Sequence, residues 1–132
     1  MRLVRVVNTR LGLELGSRVG MADSWLGRLR GMLGRRRPVN GEGLFLTPCS
    51  SVHMYGMRFP LDVAFLDRSG TVVAMYLSLG PGSRTRWHRE AAHALELPAG
   101  ALQASGTAIG DMLVWSPTLV APSGFVRTEI FS

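Results

Sequence analysis

The sequence predicts an α+β or mainly β domain, a small β-barrel-like fold with one helix in its N-terminal half packed against it. Three observations carry this expectation. Only one stretch, Trp25 to Leu33, repeats apolar residues at helical spacing. Elsewhere six or more short apolar or alternating stretches are separated by glycine, proline and serine. The chain has 132 residues, of which 46% are apolar, the size and composition of one domain with its own core.

Leu3 to Asn8 is rich in valine and reads as a strand, with Leu11 to Leu15 as its hairpin partner. Asp23 or Ser24 is placed to cap the helix, whose apolar face is Trp25, Leu26, Leu29, Met32 and Leu33. Gly34 and the Arg35–Arg37 run end it, with Pro38 just beyond. Gly43 to Thr47 is an apolar strand stopped by Pro48. Ser51 to Tyr55 alternates, with Ser51, His53 and Tyr55 on one face and Val52 and Met54 on the other. Leu61 to Asp67 and Thr71 to Leu79 flank the turn tripeptide Arg68-Ser69-Gly70 and read as a hairpin. Both arms are apolar on both faces, which predicts central strands in a closed or double-covered sheet. The loop from Gly80 to Glu90, rich in glycine, proline and arginine, is a candidate mobile segment. Ala91 to Leu97 is another strand, and Pro98-Ala99-Gly100 opens a short helical segment to Ser105. Asp111 to Trp115 is the last strand. Residues 1–115 thus form a single domain, and 116–132 a C-terminal tail or added edge strand.

Composition excludes several classes. The longest uncharged stretches are about fifteen residues and contain proline or glycine, short of the roughly 18 apolar residues of a membrane-spanning helix. Arginines interrupt the first eight residues, so no secretory apolar block is present and a cytoplasmic location is expected. The single cysteine, Cys49, excludes an internal disulfide and cysteine-based zinc sites. All fifteen basic residues are arginine, against nine acids, for a net charge of +6. Residues 1–40 hold nine arginines and two acids (+7), and the remainder six arginines and seven acids (−1). The excess gathers at Arg28, Arg30, Arg35, Arg36 and Arg37. Arg28, Arg35, Arg36 and Arg37 are candidates to bind an anion, nucleic acid or an acidic partner. A solvated helix end, where the helix dipole favours cations, accounts for the same run.

Several landmarks fall in one order: Leu29-Arg30-Gly31-Met32-Leu33, then Gly43-Leu44-Phe45-Leu46, then Val52 to Asp67 with Pro60-Leu61-Asp62 at its centre. Ala94-Leu95-Glu96-Leu97-Pro98-Ala99-Gly100 and Gly110-Asp111 follow. Over residues 5–115 the chain resembles the bacterial and archaeal family called domain of unknown function 192. The resemblance implies a compact, barrel-like β-rich domain with a helix packed against it, and no established reaction. The family's usual central motif runs Trp-Met-Lys-Asn-Thr before the Pro-Leu-Asp. Met54 and Pro60-Leu61-Asp62 match it, while His53 replaces the tryptophan and Tyr55 and Gly56 the lysine and asparagine.

Four constellations bear chemistry. Cys49 with His53, oriented by Asp62 or Asp67, has the composition of a thiol nucleophile and base. Along an extended strand, however, Cys49 and His53 stand about 13 Å apart, at about 3.3 Å per residue. His53, His88 and His93 are spaced for neither a helical pair nor a strand face, so no metal is expected, nor any cofactor. Asp62 and Glu96, with Asp111 near, form a carboxylate pair that would suit acid–base work in a hydrolase or transferase. Asp62 capping backbone N–H groups, and Glu96 ion-paired with Arg30 or Arg58, are the structural alternatives. Arginine with Trp25 or Trp87 would suit single-stranded nucleic acid. The reading that best unites these features is a binding or accessory module for a small ligand or protein partner. Its expected surface is His53, Tyr55, Arg58 and Asp62, supported by Glu96 and Arg30.

Overall fold

A computed structural model describes residues 2–22, 36–120 and 126–127. The helix expected over Trp25 to Leu33 lies outside the described residues, as do Arg28, Arg30 and Arg35. The described elements are β1 (Arg2–Asn8), β2 (Leu13–Ala22), β3 (Glu42–Leu46), β4 (Leu61–Leu66), β5 (Val72–Leu79) and β6 (His93–Pro98). Then follow α1 (Ala101–Ser105), β7 (Leu113–Pro117), and a two-residue pair, β8 (Leu119–Val120) with β9 (Val126–Arg127). The fold is mainly β, with a single short helix among the described residues.

Seven strands form one sheet in the order β5-β4-β6-β3-β2-β1-β7. All neighbours are antiparallel except β2 and β3. A parallel pair needs a long connection, which residues 23–41 supply between Ala22 and Glu42. The sheet curls until its edges touch. The Phe45 ring on β3 meets Trp115 on β7 at 4.6 Å between centroids, although β2 and β1 lie between them in the sheet. At one end, Thr71 bridges Met112, Val72 N–H donates to the Asp111 carbonyl at 2.8 Å, and Leu113 N–H donates to the Gly70 carbonyl at 2.9 Å. Asp111 anchors that junction. Its carboxylate accepts from Arg10 at 2.6 and 2.9 Å, from Asn8 Nδ2 at 2.9 Å and from Ala108 N–H at 2.9 Å.

Strand parity sorts the core into two layers. Val4, Val6, Val19, Phe45, Ala64, Leu66, Leu95, Leu97 and Leu113 fill the concave side, where Leu102 of α1 joins them. Leu44, Leu46, Val63, Phe65 and Ala94 face the convex side. Among the described residues no second sheet covers them. The connector between β3 and β4 lies there, burying Cys49, Val52, Met54, Met57 and Phe59. β4 is thus buried at all six positions, as its apolar run predicts.

Three expectations need correction. β5 is an edge strand, not a central one, and is only half-buried along most of its length. Its apolar residues on both faces reflect contact with the two core layers. Ser51 to Tyr55 keeps the predicted alternation but is not a strand: it makes one bridge, His53 to Arg84. The ladder is irregular because the Thr85 hydroxyl, instead of a carbonyl, accepts from Val52 N–H at 3.0 Å. The loop from Gly80 to Glu90, expected to be mobile, is tied down by Met54 N–H to Ser83 O (2.7 Å), Thr85 N–H to Val52 O (2.8 Å) and His88 N–H to Ser50 O (2.8 Å).

Gly70 shows what edge closure requires. Its φ of +93° ends the β4–β5 turn, and a Cβ there would overlap the Leu113 carbonyl oxygen. Gly70→Ala is expected to lower stability by about 2 kcal/mol or more, from the left-handed conformation plus the steric conflict at the junction. An unfolding free energy from urea titration within about 0.5 kcal/mol of the parent would contradict this closure.

Candidate functional site

The convex cover has an inner and an outer face. Val52, Met54, Met57 and Phe59 are buried, while His53, Tyr55 and Arg58 between them are exposed. The segment paired with it repeats the device: Thr85 and His88 are buried, and Arg84, Arg86 and Trp87 point out. The two outer faces enclose a cleft of about 430 Å³ lined by Ser51, His53, Tyr55, Arg84, Arg86 and Trp87. His53 stacks on Tyr55 with ring centroids 5.0 Å apart and planes 28° apart. Tyr55 is 57% exposed and Trp87 69%, so two large aromatic side chains remain open to water around the opening. Among the described residues no carboxylate lies in ion-pair range of Arg58, Arg84 or Arg86. The described lining carries positive and aromatic groups and no acid.

His88 lies beneath this surface. Its Nε2 shares a 2.6 Å hydrogen bond with the Tyr76 hydroxyl, and its ring packs on Phe65 at 4.5 Å. Burial first, and the Arg86 charge second, push its pKa below the usual histidine value, with Glu90 opposing them. The fold therefore favours the neutral form of the His88 imidazole.

The remaining residues singled out from the sequence are placed elsewhere. Asp62 is fully buried, and its side chain is engaged by backbone: Ser78 N–H donates to Oδ1 at 2.8 Å, and Gly100 and Leu102 N–H to Oδ2 at 3.1 and 2.9 Å. It is not part of the exposed surface with His53 and Tyr55. Glu96 is also buried, but on the other side of the sheet. Asp62 pairs with Leu97 of the concave layer, whereas Glu96 pairs with Val63 of the convex one. Parity thus sets the two carboxylates on opposite faces, which is incompatible with shared acid–base work. Asp111 belongs to the edge junction, where the Arg10 guanidinium above all holds its carboxyl far below the usual range. Cys49 is 8% exposed, and its Sγ donates to the Ser51 carbonyl at 3.1 Å. That geometry directs the thiol toward backbone and away from the outward face that carries His53.

The histidines do not converge either. His53 lines the cleft, His88 lies beneath it, and His93 sits between Thr47 Oγ1 (2.8 Å) and the Phe45 and Trp115 rings. Among the described residues no group of three potential ligands could hold a metal, and no helix is long and apolar enough to cross a membrane. Of the basic run, Arg36 makes a two-pronged ion pair with Glu42 at 2.9 and 2.8 Å. Chiefly through that contact the Glu42 carboxyl is lowered to about 2. Arg37 is exposed. Sequence reasoning passed over Arg84 and Arg86, although the alternation Arg84-Thr85-Arg86 beside Trp87 is the same signal that marked Ser51, His53 and Tyr55.

His88 gives a pH dependence whose sign is fixed. The unfolded chain holds a proton there more readily than the folded one, so this stability is complete above about pH 6.5 and is lost as pH falls toward the lowered folded value. His93, lowered by its own burial, adds in the same direction. Between pH 7 and pH 5 the urea midpoint should fall, and His88→Gln should make that fall shallower. An unchanged slope in the variant would show that His88 is not buried in its neutral form.

The comparisons with known proteins agree with this architecture. Residues 6–115 match the family model DUF192, described as an uncharacterized ACR. A UPF0127 protein of Thermococcus kodakarensis is 28% identical over 123 residues, covering 86% of this chain and 74% of its own. One from Pyrococcus furiosus is 31% identical over 117 residues, covering 84% of this chain and 97% of its own. A crystal structure from Sinorhizobium meliloti, described as that of a candidate transcription regulator, superposes with a TM-score of 0.69 at 25% identity, covering 86% of this chain and 92% of that one. A protein of unknown function from Novosphingobium aromaticivorans superposes at 0.71 and 21% identity, covering 86% and 84%. The chain belongs to the domain of unknown function 192 family, for which no reaction is established.

Proposed function

We propose that the protein is a binding module whose recognition surface is the outer face of the convex cover: His53, Tyr55 and Arg58 with Arg84, Arg86 and Trp87. The observation that supports this reading is the exposure of Tyr55 and Trp87 around a cleft whose walls are tied by backbone hydrogen bonds. Large aromatic side chains exposed together on a rigid support are a common mark of contact surfaces. Support is rigid here because buried residues alternate with outward ones: Val52, Met54, Thr85 and His88 hold the backbone from which the outward side chains project. Asp62 serves the reading from below, by holding β4, β5 and the start of α1 in register.

The test is amide chemical-shift mapping with a library of small aromatic and anionic fragments. Shifts should concentrate on residues 51–58 and 84–88. Tyr55→Ala with Trp87→Ala should keep the thermal midpoint within about 2 °C and remove those shifts, since surface substitutions change stability by only about 0.5 kcal/mol. Fragments gathering at another face, or none binding at all, would overturn the assignment of this surface.

A further inference from the structure

We propose that this cleft takes a nucleoside phosphate unit, with the phosphate held by Arg84 and Arg86 and the base laid on Trp87 or Tyr55. The inference rests on the binding reading above and adds the class of ligand. Three features of the molecule lead to it. The first is the sign and form of the charge. Arg84 and Arg86 line the cleft, and among the described residues no acid lines it and no carboxylate neutralises either guanidinium. Arg5, Arg10, Arg18 and Arg36 behave differently, being paired with Glu14, Asp111, Glu42 and Glu42 respectively. A planar guanidinium offers parallel N–H donors that match phosphate oxygens.

The second feature is the aromatic pair. Trp87 follows Arg86 directly, and Tyr55 stands beside His53, itself bridged to Arg84. A ligand with a flat π-face next to its phosphate would cover these rings while its charge met the arginines, and a base with its phosphate has that form. A bare anion would leave Trp87 and Tyr55 in water. The third feature is size and order. A cleft of about 430 Å³ lies in the range of small-ligand sites, and its walls are already tied together, so little ordering is needed on binding. Free nucleotides and single-stranded nucleic acid share this chemistry.

The experiment uses the full chain and a fluorescein-labelled ten-nucleotide single strand, followed by anisotropy across a salt series, with AMP, ADP and inorganic tripolyphosphate as competitors. Binding should weaken as salt rises. Arg84→Ala and Arg86→Ala should each weaken it several-fold and lower the salt slope by about 0.7, the value for each phosphate of a single strand that a protein cation neutralises. Trp87→Ala should weaken binding about tenfold with the slope unchanged, as the removal of one stacked base predicts. AMP competing as well per site as the strand would assign the ligand as a free nucleotide; a strand at least tenfold tighter would assign single-stranded nucleic acid. Both support the class. Tripolyphosphate competing as well as either would show a plain anion site and overturn the proposal. So would a slope that drops in Arg37→Ala and not in Arg84→Ala. No binding by strand or nucleotide, with fragments still mapping to the cleft, would overturn the ligand class while the binding surface stands.

Discussion

The carboxylate of Asp62 is the contact that ties β4, β5 and the start of α1 together. It is fully buried, and it accepts backbone N–H groups from two separate parts of the chain. One is Ser78, near the end of β5, whose φ of 53° is the sole positive value among the described non-glycine residues. The register of β4 on β5 shifts between Leu61 and Val63, so Asp62 stands at a bulge and its side chain takes up the Ser78 N–H there. The other is the start of α1, where Gly100 and Leu102 donate and the N-cap residue, Gly100, supplies no side-chain cap. Hydrogen bonds to a buried charge are among the stronger single contributions to a fold, about 1.5–3 kcal/mol each. Aspartate suits the position because one short side chain must present two acceptors to donors on different sides. The aspartate of Pro60-Leu61-Asp62, which matches the family's central motif, therefore has a structural reason.

α1 lays Leu102 into the concave core, and β5 is held against β4 so that its N-terminal end reaches the β7 edge. At that far end Asp111, gripping Arg10, Asn8 and Ala108, does for the junction what Asp62 does for the helix. The two carboxylates divide the stabilising work between the ends of the sheet. The convex face is left free to carry an irregular cover, and an irregular cover can turn alternate side chains outward. The cleft lies between the two strips of that cover.

What could be read from the sequence was local. The apolar run of β4, the turn at Arg68-Ser69-Gly70 and the outward set Ser51, His53 and Tyr55 all depend on neighbours within a few residues. What could not be read depends on pairing between distant segments. Nothing local distinguishes β5 as an edge, because that is a property of the strand order. The opposite faces of Asp62 and Glu96 follow from the register of β4 on β6, where a slip of one residue would have set them on the same face. Arg84, Arg86 and Trp87 join His53 and Tyr55 only because Thr85 pairs with Val52, 33 residues earlier in the chain. In the sequence they lie in a glycine- and proline-rich stretch whose composition suggests mobility.

A structural aspartate thus stands apart from an exposed site, and one measurement tests that division directly: the urea unfolding of Asp62→Asn. An asparagine keeps the shape but turns an NH₂ toward at least one of the three backbone donors. The variant should lose about 3 kcal/mol of stability, in line with the cost of breaking charge-assisted hydrogen bonds in the interior. A variant as stable as the parent would contradict this division. It would mean that the buried carboxylate does not hold β4, β5 and α1 together, and that the aspartate of the family signature serves another purpose.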